Sequence, residues 1–145
     1  MEQARPTLKP SDLIDIRGFE GGQAHHRFLV ESLKQRLPVI KHLSRDDAAR
    51  VAEALGGELV DFKIDEATEW ALKVSPFKGF YIYFVLQRYS PEFEDRLLAF
   101  YNKEAPELGV PAEDASDFTV LYANAIIYAA RRTLNRELPR LSRYL

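Results

Sequence analysis

The sequence predicts an α+β domain: a small antiparallel sheet of about three strands within residues 58–88, packed against N-terminal and C-terminal helices. Three observations carry that expectation. Apolar residues alternate at Val60, Phe62 and Ile64, and again at Trp70, Leu72 and Val74, the period of strands with one wet face. Phe80 to Leu86 is apolar or aromatic at every position, as in a strand covered on both faces. Apolar stripes at helical spacing flank this region on both sides. An all-α bundle with residues 66–88 helical is the alternative, because periodicity alone does not separate a short buried strand from a buried helix.

Taken in order, residues 1–22 hold Pro6, Pro10, Gly18, Gly21 and Gly22, a density of breakers that predicts an extended arm. Leu13, Ile14, Ile16 and Phe19 within it predict that the arm docks on a globular domain formed by residues 23–145. A first helix is expected over Gln23 to Arg36, carrying Phe28, Leu29, Leu33 and Leu37, with Pro38 ending or kinking it. Ser44 and Asp47 have the spacing of a capping box ahead of a helix over 46–55, whose stripe is Ala48, Val51, Ala52 and Leu55. Gly56-Gly57 closes that helix. The alternating stretches then form a hairpin, punctuated by Ser75-Pro76 and Gly79, and Phe80 to Leu86 adds the third strand.

Ser90-Pro91 followed by Glu92, Glu94 and Asp95 resembles a helix start, with Phe93, Leu97, Phe100 and Tyr101 as the inward stripe. Pro106 and Gly109 end that element. An acidic lead-in over 111–117 opens a last helix that is apolar nearly all round from Phe118 to Ala130, and so is expected to be central and buried.

Length and composition set limits on function. The chain has 145 residues, enough for one core. Hydrophobic residues make up 46% and charged residues 29%, a globular mixture, and the net charge of −2 argues against a general nucleic-acid coat. Cysteine is absent, which removes disulfides, thiolate nucleophiles and cysteine-based metal sites together. The first residues, Met1-Glu2-Gln3-Ala4-Arg5-Pro6, lack the apolar stretch of a signal peptide. Phe80 to Leu86 is far shorter than the ~20 residues that span a bilayer. These features lead us to expect a soluble, cytoplasmic protein without membrane contact.

Charge and aromatic residues are unevenly placed. From Glu92 to Asp117 eight acids stand against Arg96 and Lys103, a net of −6; from Arg131 to Leu145 five arginines stand against Glu137, a net of +4. Arg131, Arg132, Arg136, Arg140 and Arg143 are therefore candidate contacts for an anion or a protein partner, because guanidinium forks pair with carboxylate and phosphate. The bland alternative is a helix end whose cations complement the dipole. Nine aromatics fall between Phe77 and Tyr101. Core packing accounts for them more simply than base stacking. Lys78-Gly79-Phe80 opens like the RNP1 strand of RNA-recognition domains, but Tyr81, Ile82 and Val85 break that pattern.

A lone amide at Asn124, inside an apolar helix, must find partners, a tyrosine hydroxyl or loop carbonyl being the simplest. With Tyr81 and Tyr83 it forms a candidate ligand pocket. His25, His26 and His42 lack companions at metal-ligand spacing, and Arg36 and His42, six residues apart, match a loose ribonuclease pattern that Pro38 interrupts. The acid pairs Asp46-Asp47, Glu94-Asp95 and Glu113-Asp114 all sit where helix starts are expected, so capping explains them without catalysis. No phosphate-binding loop and no Gly-x-Ser-x-Gly elbow occurs.

No cofactor and no metal are therefore expected, and no catalytic residue is assigned. The leading expectation is a non-catalytic interaction module, self-associating through the acidic 92–117 and Arg-rich 131–145 surfaces or binding another protein. A small-ligand protein or enzyme with an aromatic pocket comes second. Nucleic-acid binding through the Arg-rich tail comes third, because the surrounding balance is acidic.

Overall fold

The computed structural model describes residues 7–142 and 145. Its core is a sheet of five antiparallel strands with three helices on one face. The strands are β1 (Leu13–Ile14), β2 (Glu58–Leu59), β3 (Thr68–Phe77), β4 (Phe80–Gln87) and β5 (Arg96–Asn102), in spatial order β1-β5-β4-β3-β2. The helices are α1 (Gly22–Ile40), α2 (Arg45–Ala54) and α3 (Ala112–Thr133). The α+β class is as expected, the all-α alternative does not form, and the strand number rises from about three to five.

Both added strands lie outside 58–88. One is β1, inside the predicted arm: Leu13 pairs with Asn102 and Ile14 with Tyr101. The other is β5, where a helix was expected. Along β5, Leu97, Ala99 and Tyr101 face the helices while Leu98 and Phe100 face the opposite side. Because both sides are apolar, the strand lacks the polar alternation that betrays a half-wet strand. Its approach is made by Asp95, whose carboxylate accepts the main-chain N–H groups of Tyr89 and Ser90, each at 2.9 Å. Asp95 therefore holds a turn where a helix start was expected.

The alternation at Val60, Phe62 and Ile64 also has a different use. Glu58 and Leu59 pair with β3 and the Val60 N–H still reaches the Ala71 carbonyl at 3.0 Å, but beyond it the chain leaves the ladder. Val60 and Phe62 fold over the sheet face away from the helices, joining Ala71, Tyr83 and Val85 in a second apolar cluster. Leu8, Leu13, Leu98 and Phe100 complete it, and the Phe62 and Phe100 rings lie 6.0 Å apart. The arm's residues 7–14 thus cover part of the sheet, with Leu8 N–H bonded to the Asp61 carbonyl. Residues 1–6 lie outside the described residues.

The larger cluster joins Leu29 and Leu33 of α1, Val51 of α2 and Ile126 and Ile127 of α3 to Trp70, Leu72, Ile82 and Phe84 of the sheet. The buried Trp70 indole donates to the Leu43 carbonyl at 2.9 Å, which fixes the α1–α2 corner. α1 runs past Arg36 to Ile40 with Pro38 inside its last turns. There the proline withholds only the N–H that would meet the Lys34 carbonyl. At α2, Ser44 Oγ accepts the Asp47 N–H and the Asp47 carboxylate accepts the Ser44 N–H, the predicted capping box.

α3 is more amphipathic than expected. Ile126 and Ile127 are fully buried, but Leu121 is 60% and Tyr128 48% exposed. No helix among the described residues is long and apolar enough to cross a membrane.

Candidate functional site

The residues singled out in the sequence do not converge. Tyr81 and Tyr83 are on the sheet face away from the helices, whereas Asn124 lies on α3, which packs on the other face. Asn124 is occupied: its Oδ1 accepts the Arg36 Nε–H at 2.6 Å, and Arg36 Nη1 donates to the Ser32 carbonyl. The partner is thus a guanidinium bridging α1 and α3. Partial burial among the helices lowers the pKa of Arg36. Lys73 stands 4.1 Å over the Tyr81 ring, a cation–π contact. The Tyr83 hydroxyl is pushed up to about 12, chiefly by burial, with Tyr81 and the acids Glu104, Glu58 and Asp12 adding to it. It stays neutral at physiological pH.

The arginines serve the chain itself in two places. Arg131 donates to the carbonyls of Leu138, Pro139 and Leu145, stapling residues 134–142 back onto α3. Arg136 forks onto the Asp47 carboxylate and reaches the His42 carbonyl, so its carboxylate lies outside the acidic 92–117 stretch. The guanidinium beside Asp47, opposed in part by burial, and the N–H and hydroxyl of Ser44 hold that carboxyl near pKa 2. Arg132 and Arg140 are exposed, and Arg143 lies outside the described residues.

A polar knot joins the buried Thr68 and Gln87 to the half-buried Tyr89 and the exposed Asp65. Thr68 donates to Gln87, Gln87 donates to Asp65, and Tyr89 donates to the other Asp65 oxygen. Its members satisfy one another, which marks it as a clasp for the chain entering β3. Among the described residues no group of three or more His, Asp or Glu is placed to hold a metal ion.

A concave feature lies elsewhere among the described residues, between α1 and the outer edge of β5. β1 covers only Tyr101 and Asn102, so the edge from Arg96 to Phe100 has no strand beside it. The turn following α1 and the start of β5 are tied together at one end, where Arg88 donates to the Lys41 carbonyl and lies 3.7 Å from Asp95. At the other end the Phe19 ring meets Tyr101 edge-on at 5.1 Å. Between these ties is a groove of about 860 Å³, within the size range of ligand sites.

Leu29, Leu33 and Leu37 form its wall, and Leu97, Leu98, Ala99 and Phe100 its floor. Side chains from both faces of β5 contribute, so the cleft runs along the strand's edge. Phe93, 76% exposed, stands at the mouth, and Val30, 41% exposed, lines the rim. Lys34, Lys41 and Arg96 also line the groove, without an ion pair among the described contacts. Of the acids that line the groove, Asp15 holds Arg17 at 2.6 Å and Asp95 is occupied by the Tyr89–Ser90 turn, while Glu31 and Glu94, like the three cations, have no ion pair among the described contacts.

Sequence reasoning found the Leu29–Leu33–Leu37 stripe but read Phe93 and Phe100 as helical. A two-residue strand lying against a seven-residue one is the signal for this groove, and pairing becomes visible only in three dimensions. Comparison of the chain with protein-family models, with curated protein sequences and with solved structures finds no match.

Proposed function

We propose that this chain is a non-catalytic protein-interaction module whose docking surface is the groove between α1 and the open β5 edge, and that it receives an extended segment of a partner protein. The observation that carries this reading is the combination of an apolar cleft with an unpaired strand edge as its floor. Natural sheets shield such edges, because unpaired main-chain groups recruit another chain. Here the edge lies open beneath an aromatic and a row of leucines.

The test is selection from a displayed random-peptide library, followed by titration on groove variants. Enriched peptides should bind the wild-type chain and lose at least about tenfold on Val30→Asp and on Phe93→Asp, with circular dichroism showing both variants folded. Enrichment of nothing, or of peptides indifferent to both variants, would overturn the reading.

Self-association through the acidic 92–117 and Arg-rich 131–145 stretches is the second reading, favoured by the exposure of Arg132 and Arg140. It requires a dimer in sedimentation at low salt that dissociates as ionic strength rises. A monomer at every salt concentration removes it.

A further inference from the structure

Resting on the groove reading above, we infer that the partner segment enters as an added β-strand on β5, with apolar residues at alternate positions. The main chain supplies the first argument. Lys103 N–H donates to the Asp12 carbonyl at 3.2 Å, so position 103 directs its main-chain groups toward the lane that β1 occupies. Main-chain groups alternate sides along a strand, and the β4–β5 register runs unbroken from Arg96 to Tyr101. The N–H and C=O groups of Leu97 and Ala99 therefore point into that same lane, beyond the end of β1. An incoming strand continues the lane and meets two donors and two acceptors already in position.

The side chains supply the second argument. Successive residues of an added strand point to opposite faces. Those on the helical side meet Leu29, Leu33 and Leu37, while their neighbours turn away, so apolar residues at every second position fit. The rim carries both signs, Lys34, Lys41 and Arg96 beside Glu31 and Glu94, so the alternation and not charge selects the segment.

A bare segment fits better than a second copy. Two β5 edges paired antiparallel keep both helical layers on the same side of the joined sheet. α1 already walls the space above the open edge, and the copy's own α1 would arrive there with its strand.

The test uses the full chain and a synthetic peptide of alternating valine and threonine with glutamate at both ends. In the free protein, Leu97 and Ala99 amides should exchange with solvent quickly, and Leu98 and Phe100 amides slowly. Adding peptide should slow exchange at Leu97 and Ala99. N-methylation of the peptide on alternate amides, in the frame facing β5, should weaken binding at least about tenfold, and the other frame should not. Absence of binding by this peptide overturns the inference. So does binding of library-selected peptides in the groove that leaves Leu97 and Ala99 exchanging freely; the interaction-module reading then survives. Protection of those amides in the protein alone, growing with its concentration, would overturn it in favour of a second copy.

Discussion

At the scale of single residues, the bond that most directly joins two helices is Arg36 to Asn124. A half-buried guanidinium without a carboxylate depends on neutral acceptors, here the amide oxygen and the Ser32 carbonyl. Asn124→Ala leaves one donor unpaired in a site where burial already opposes the charge, and should destabilise the fold by about 1–3 kcal/mol in urea titration. Asn124→Asp places a charge against Arg36 and should recover much of that loss. The need for a partner at Asn124 was legible in the sequence, since an amide among apolar residues demands one. The identity of the partner was not, because 88 positions separate the two residues and nothing local couples them.

A second residue-scale prediction concerns pH. Asp47 is held near pKa 2, below its ordinary value of 3.8, by Arg136 and by the Ser44 cap. A depressed carboxyl stabilises the fold above its unfolded-state value and loses that contribution as pH falls through the folded one. Stability should therefore decline between about pH 4 and pH 2 in part through this group, and Asp47→Asn should flatten that part of the curve. At neutral pH the same variant should lose about 1 kcal/mol, typical of a damaged helix cap. Thermal melts of both proteins across this range measure it.

At the scale of elements, the α2–β2 corner and β5 teach opposite lessons. The corner was legible because its signals are local: a capping box at one end of α2 and two glycines at the other. Gly56 sits at φ 72° with open space where a side chain would go, whereas a Cβ on Gly57 would come within 2.2 Å of the Lys73 carbonyl. Gly56→Ala should cost about 1–2 kcal/mol of left-handed backbone strain. Gly57→Ala should cost more, since β2 must separate from β3 to admit it, and denaturant midpoints for the two variants should rank in that order. β5 was misread because Phe93, Leu97, Phe100 and Tyr101 have helical spacing while the intervening Leu98 and Ala99 are apolar too. A stretch buried on both sides carries no period of its own, and only its neighbours decide its conformation. The Val60–Phe62–Ile64 alternation was real, yet it served a covering segment rather than a ladder strand.

At the scale of the whole molecule, one sheet separates two apolar clusters, a large one under the helices and a smaller one under residues 8–13 and 60–62. The lone tryptophan, Trp70, reports on the large cluster. Phe62→Ala empties part of the small one, and substitutions of this kind cost about 3–5 kcal/mol. If the two clusters form one cooperative unit, Trp70 fluorescence and far-ultraviolet dichroism should shift to the same lower urea midpoint in this variant. A tryptophan transition left at the wild-type midpoint would show that the layers unfold separately. The α+β class was legible at this scale, because helical and strand periods both occur along the chain. The groove was not, because it arises from a mismatch between the lengths of two strands that lie more than eighty residues apart.

That mismatch carries a hazard of its own. A sheet whose border is left unfinished invites chain after chain to stack against it, the route by which ordinary proteins turn into fibrils. On the reading proposed above, the hood formed by α1 limits the invitation, leaving headroom for one slender guest and none for a molecule that brings its own helix. The open border would let this protein be sociable, and the helix above it would keep it from polymerising with itself.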